Sequence, residues 1–156
     1  MVKKQLPEDF KEFIKCLNAN KVKYLLLGGW AVSTYGEPRA TKDIDFLVSK
    51  DDKNLFNLDK ALKDFCSPPL DVNILKESGC FFRMGQPPIM IEIINEASGI
   101  EFNDCYKRKN IIIMDGVAVK TISVTDLIKN KRAAGRGQDI ADIEILEKIC
   151  NKRKKL

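Results

Sequence analysis

Apolar residues recur at helical spacing over residues 7–20, where Phe10, Phe13, Ile14 and Leu17 are interleaved with charged side chains, and this predicts an amphipathic first helix. Residues 23–27 form a short apolar run that Gly28-Gly29 interrupts, and 30–35 reads as a helix stopped by Gly36. Over 43–48 the pattern switches to strict alternation, with Ile44, Phe46 and Val48 on one face and Asp43, Asp45 and Leu47 on the other. Helical spacing returns over 51–65, with Leu55, Leu58, Leu62 and Phe65 on one side, and ends before Pro68-Pro69. Runs 80–84 and 89–94 read as two strands of a hairpin whose register the prolines in 85–88 leave open, followed by a short helix over 102–107. Strands over 111–114 and 117–122 flank Asp115-Gly116, a strong hairpin signal. Ser123 is placed to cap a helix through Ala134, and a second helix is expected over 138–150, leaving 151–156 as a solvated basic tail. Strands and helices are intermixed with no repeat, linker or shift in composition, so one α+β domain over 1–156 is expected.

The 156 residues contain no histidine, which removes His-based triads and dyads and histidine-containing zinc sites from consideration. Five cysteines without close pairs fit reduced thiols better than a disulfide framework or zinc ribbon. The net charge of +5 favours anionic ligands but falls short of the dense basic stripe of a duplex-DNA binder. With no signal-peptide h-region and no bilayer-length apolar run, a cytoplasmic protein without a membrane partner is expected.

Asp43 and Asp45, one residue apart on a strand, point the same way with Cα atoms about 7 Å apart, close enough to share a hard cation such as Mg²⁺ or Mn²⁺. Alone, such a pair is as readily a solvated strand end. Fourteen residues upstream of Asp43, Gly29 and its neighbour Gly28 stand where a strand gives way to a helix; backbone N–H groups there can approach a phosphate, although many Gly-Gly pairs are only turns. Together the two features are equipment for a metal-bound nucleoside triphosphate.

The run LLLGGWAVSTYGEPRATKDIDFLVS over 25–49 resembles the signature of the DNA polymerase β-like nucleotidyltransferase superfamily, most closely the small bacterial branch related to AbiEii toxins, with lincosamide and aminoglycoside nucleotidyltransferases more distant. The stretch 123–146, with Asp126, Lys131, Arg136, Asp139 and Asp142, resembles that branch's C-terminal helices. The resemblance implies a nucleotidyltransferase fold: a mixed central sheet of about five strands flanked by helices, with further helices at the C-terminal end. It implies transfer of a nucleoside monophosphate from an NTP, ATP among them, to a small-molecule, RNA or protein acceptor by a two-metal mechanism. In that pattern Gly28 and Gly29 face phosphate, Asp43 and Asp45 are catalytic metal ligands, and Arg39 and Thr41 belong to the motif between them.

The family pattern also asks for a third carboxylate, usually Asp, on a later strand. Glu92, within the apolar run IMIEII, is the candidate third catalytic ligand, and its extra methylene is a departure that bears on activity more than on fold. A lysine partner or simple exposure would equally satisfy it. Arg39, Lys131 and Arg136 are candidates for neutralising a triphosphate, with Lys131 ranked first for nucleotide contact; against this, Lys131 and Arg136 sit where a helix C-terminus favours cations, and Arg136 can pair with Asp139 or Asp142. Trp30 reads as helix packing rather than a pocket wall. Two rival functions stand beside transfer: a non-catalytic nucleotide-binding or antitoxin-like module paired with the product of a neighbouring gene, and RNA binding through the basic tail.

Overall fold

The computed structural model describes residues 5–36, 38 and 40–154 as an α+β structure around a six-stranded mixed sheet. In chain order the elements are α1 (Glu8–Ala19), β1 (Tyr24–Leu27), α2 (Gly28–Tyr35), β2 (Asp43–Val48), α3 (Asp52–Asp64), a 3-10 turn (Val72–Lys76), β3 (Phe81–Gln86), β4 (Ile89–Ile94), α4 (Phe102–Lys107), β5 (Asn110–Met114), β6 (Val117–Thr121), α5 (Val124–Ala134) and α6 (Gly137–Lys154). The strands lie in the order β3-β4-β2-β1-β6-β5.

The alternation in β2 divides the sheet into two faces. Phe46 packs against Phe13 of α1 and Tyr24 of β1, at ring-centroid distances of 5.5 and 5.6 Å, and Phe13 meets Phe65 just past α3 at 5.1 Å. That face is the apolar core, with Ile44, Phe46, Ile91 and Ile93 buried on the side covered by α1, on which α3 packs in turn. Asp43 and Asp45 are thereby turned to the opposite face, toward the α5–α6 junction.

Local chemistry sets several element ends. Asp51 caps α3 through the Asn54 N–H at 2.8 Å, and Ser123 caps α5 through the Asp126 N–H at 3.2 Å, as its position in the sequence predicts. Gly135 closes α5 in the left-handed conformation, φ 64°, which a residue with a Cβ adopts only at a cost. Trp30 is buried edge-on against Phe10 at 5.9 Å, the packing role read from the sequence.

Three expectations are adjusted. The sheet has six strands rather than about five, because both hairpins join it, one at each end. The helix after β1 begins at Gly28 itself. The basic segment expected as a frayed tail continues α6 through Lys154, where lysines and arginines are favoured by the carbonyl end of the helix dipole. Among the described residues no helix is long and apolar enough to cross a membrane.

Candidate active site

Strand register lines up four residues across the sheet. Leu27 of β1 is opposite Asp45 of β2, Asp45 is opposite Glu92 of β4, and Glu92 is opposite Arg83 of β3. Residues directly opposite one another project from the same face, so Asp45, Glu92 and Arg83 form a row, with Asp43 two residues away on the same side of β2. Carboxylate oxygens of Asp43, Asp45 and Glu92 lie within 4.8 Å of one another. The three candidate catalytic acids are thus brought together, Glu92 among them.

Three acids on one half-buried surface repel when ionised. The Asp45 carboxyl is pushed up to about 7, first by burial and then by the charges of Asp43 and Glu92, which Arg136 and Lys131 only partly offset. An acid held that far above its ordinary range is stabilised as a carboxylate by a nearby cation, and an all-oxygen donor set suits a hard divalent ion.

Gly28 completes the pocket by what it lacks. It has φ +65°, and a Cβ there would overlap Oδ2 of Asp45 and come within 3.1 Å of its Cγ. Only glycine lets the strand end of β1 pass this close to the carboxylate while starting α2. Gly28→Ala is therefore expected to lower stability by about 1–3 kcal/mol and to displace the Asp45 side chain. Thermal unfolding and Mn²⁺ titration check it; unchanged stability with unchanged metal affinity would show that the close approach is dispensable.

Two clefts of about 580 and 500 Å³ meet at the acids and share Gly28, Asp43, Asp45 and Arg136. The first runs past Gly29, Thr41 and Lys131; the second runs past Glu92 and Arg83 toward Asn130. A third hollow, of about 590 Å³ around Lys50, Asn95 and Phe102, lies away from the acids.

The candidate cations differ in availability. Lys131 is buried, with Nζ 3.1 Å from Asp139 Oδ1 and 3.0 Å from Asp142 Oδ2, so its ammonium is committed to two buried carboxylates. Arg136 is largely exposed at the cleft, and both its Nε and its backbone N–H donate to Asp139 Oδ2 at 3.0 Å. Burial alone would raise the Asp139 carboxyl, but hydrogen bonds from Arg136 and Lys131 outweigh it and hold it below the usual range. The Thr41 hydroxyl donates to the Asp43 carbonyl at 2.6 Å, tethering the entry to β2. Arg39 lies outside the described residues.

Arg83 is the residue that sequence reasoning missed. Its Nε donates to Glu92 Oε2 at 2.9 Å from a half-exposed position, and the hydrogen bond and charge of Glu92 raise the guanidinium's affinity for its proton further. The signal was present in the hairpin: if Pro87-Pro88 are the two loop residues, counting outward pairs residue 83 with residue 92.

Residues 4–152 match the protein family described as "Nucleotidyltransferase of unknown function (DUF6036)". The fold is similar to that of the lincosamide antibiotic adenylyltransferase LnuA in its lincomycin-bound crystal structure, with TM-score 0.63, 15% identity, and coverage of 93% of this chain and 98% of that one. It is also similar to the antibiotic-resistance factor ANT(2'')-Ia in solution, with TM-score 0.52, 12% identity and coverage of 86% and 78%. An antigenic nucleotidyltransferase-like protein from Paracoccidioides brasiliensis gives TM-score 0.52, 16% identity and coverage of 92% and 78%. At these identities the likeness is one of fold. No curated protein matches the sequence significantly.

Proposed function

This chain belongs to the DUF6036 family of nucleotidyltransferases, and on that premise we propose that it transfers a nucleoside monophosphate from an NTP to an acceptor at the Asp43–Asp45–Glu92 cluster. The observation that carries the reading is the convergence of three carboxylates beside a glycine whose missing Cβ makes room for one of them. In the reaction an acceptor oxygen forms a bond to the α-phosphorus, the bond from that phosphorus to the bridging oxygen breaks, and pyrophosphate departs. Mg²⁺ or Mn²⁺ held by Asp43, Asp45 and Glu92 would supply charge that neutralises the triphosphate and makes an acceptor hydroxyl more acidic.

The remaining steps fall to the chain's own groups. Backbone N–H groups at Gly28 and Gly29, at the first turn of α2, bind phosphate oxygens with the helix dipole behind them. Arg136, exposed and already held by Asp139, is the cation we assign to the phosphates, and Lys131 serves it by fixing Asp139. Thr41 keeps the Asp43 backbone in place. Glu92 is the group that accepts the acceptor's proton, and Arg83 orients it.

Within the superfamily we place the chain nearest to AbiEii-type toxins, on the motif over 25–49 and the α5–α6 residues 126–142. One observation favours a second reading, a nucleotide-binding module without transfer: Glu92 is engaged by Arg83. Incubation with each α-labelled NTP, Mg²⁺ or Mn²⁺ and fractionated cell RNA, protein and metabolites separates the two. Transfer of label with release of pyrophosphate supports the enzyme; metal-dependent nucleotide binding with no label in any fraction supports the binding module.

A further inference from the structure

The ion pair between Arg83 and Glu92 fixes more than the direction of one side chain. The two residues are directly opposite on the antiparallel strands β3 and β4, and Arg83 Nε donates to Glu92 Oε2 at 2.9 Å. Phe81, two residues earlier on the same face of β3, meets the guanidinium as well, with its ring centroid 5.3 Å from Arg83 Cζ. Phe81 is otherwise a half-exposed aromatic on the functional face, outside the core. Ring and carboxylate together confine a guanidinium whose side chain is itself exposed.

We infer that Arg83 restricts Glu92 to a single metal-facing oxygen and thereby biases the carboxylate cluster toward Mg²⁺ or Mn²⁺ and against Ca²⁺. The inference rests on the metal reading of Asp43, Asp45 and Glu92 given above. One oxygen from each of these acids lies within 4.8 Å of the other two. For Glu92 to grip an ion with both oxygens, the dication would have to approach Oε2, which already faces a fixed positive charge. Oε1 is left to meet the ion. Mg²⁺ is satisfied by one oxygen from each of a few carboxylates, with water and phosphate completing its octahedron. Ca²⁺ takes about six to eight oxygens at longer range and gains from carboxylates that supply two. Withholding one oxygen therefore costs Ca²⁺ a ligand that Mg²⁺ does not use. Each carboxylate oxygen keeps a second lone pair, so Glu92 can still take the acceptor's proton.

Mn²⁺ binding to the full chain without nucleotide, read as loss of the free-ion paramagnetic resonance signal and competed with Mg²⁺ or Ca²⁺, tests the inference. Binding at the cluster is the part that Glu92→Gln removes. Arg83→Met is expected to shift the ratio of the Ca²⁺ and Mg²⁺ dissociation constants about tenfold in favour of Ca²⁺. Taking a ratio cancels the gain that both ions draw from the loss of a nearby positive charge. Phe81→Ala, which loosens the guanidinium without removing it, is expected to shift the ratio the same way by less. Both residues are exposed on an edge strand, so both variants are expected to fold, which thermal unfolding checks. A ratio in Arg83→Met within about twofold of wild type would overturn the inference and leave the metal cluster standing. Mn²⁺ that binds wild type and Glu92→Gln alike, or binds neither, would overturn the metal reading itself and the inference with it.

Discussion

Lys131→Met is expected to destabilise the protein by about 3–5 kcal/mol, the usual consequence of removing one partner from a buried ion cluster. Both carboxylates that meet Lys131 are almost wholly buried, so water cannot replace the ammonium. Arg136 remains on Asp139 in the variant, while the Lys131 contacts to Asp139 and Asp142 are both lost. The defect has a pH signature. Asp139 titrates below its ordinary value in the folded protein, so its contribution is present above the unfolded value near 4 and is lost as the pH falls through the folded one. The difference between wild type and variant is thus expected to be full at neutral pH and to shrink below about pH 4. Urea unfolding at several pH values measures this, and a variant as stable as wild type at pH 7 would remove the cluster from the account.

Asp45→Asn is expected to have opposite effects on function and stability. Losing a metal ligand should reduce transfer by at least about 10²-fold, the upper end of what loss of an outer-shell partner costs. The metal-free protein should nevertheless become more stable. A carboxyl raised to about 7 from 3.8 favours folding most when protonated, so the wild type loses stability as the pH rises from about 4 through 7. The full shift corresponds to an upper bound of about 4 kcal/mol, and with one side of the cleft open a gain of about 1–3 kcal/mol at pH 8 is expected for the amide. At pH 4 the two proteins should be nearly equal. For the same reason Mg²⁺ binding to the wild type should release a proton below pH 7, and affinity should rise up to about tenfold per pH unit there. Calorimetric titration in buffers of different ionisation enthalpy checks the proton. An Asp45→Asn variant less stable than wild type at pH 8 would show that the acids are already compensated without metal.

Much of this site was legible in the chain because its parts are local. Asp43 and Asp45 share a face by the period of a strand, and Gly28-Gly29 marks the end of the preceding strand without any tertiary knowledge. Glu92 stood out as an acid within an apolar strand, although only the β2–β4 pairing shows it opposite Asp45. The partner of Glu92 depended on hairpin register, which follows only once Pro87-Pro88 are taken as the two loop residues. Lys131 was ambiguous for a different reason: its carboxylates follow it by 8 and 11 residues across the break at Gly135, a separation for which neither helix nor strand periodicity predicts contact. The 3-10 turn at Val72–Lys76 was also unforeseen, since one short turn carries too few residues for a periodic signal.

A crystal structure of the protein soaked with Mn²⁺ and a non-hydrolysable NTP tests the central claim most directly. The expected result is anomalous density among Asp43, Asp45 and Glu92, with the triphosphate reaching the N–H groups at Gly28 and Gly29 and Arg136 turned toward it. Metal and nucleotide bound elsewhere, or a cluster that stays without metal while Glu92 remains on Arg83, would contradict it.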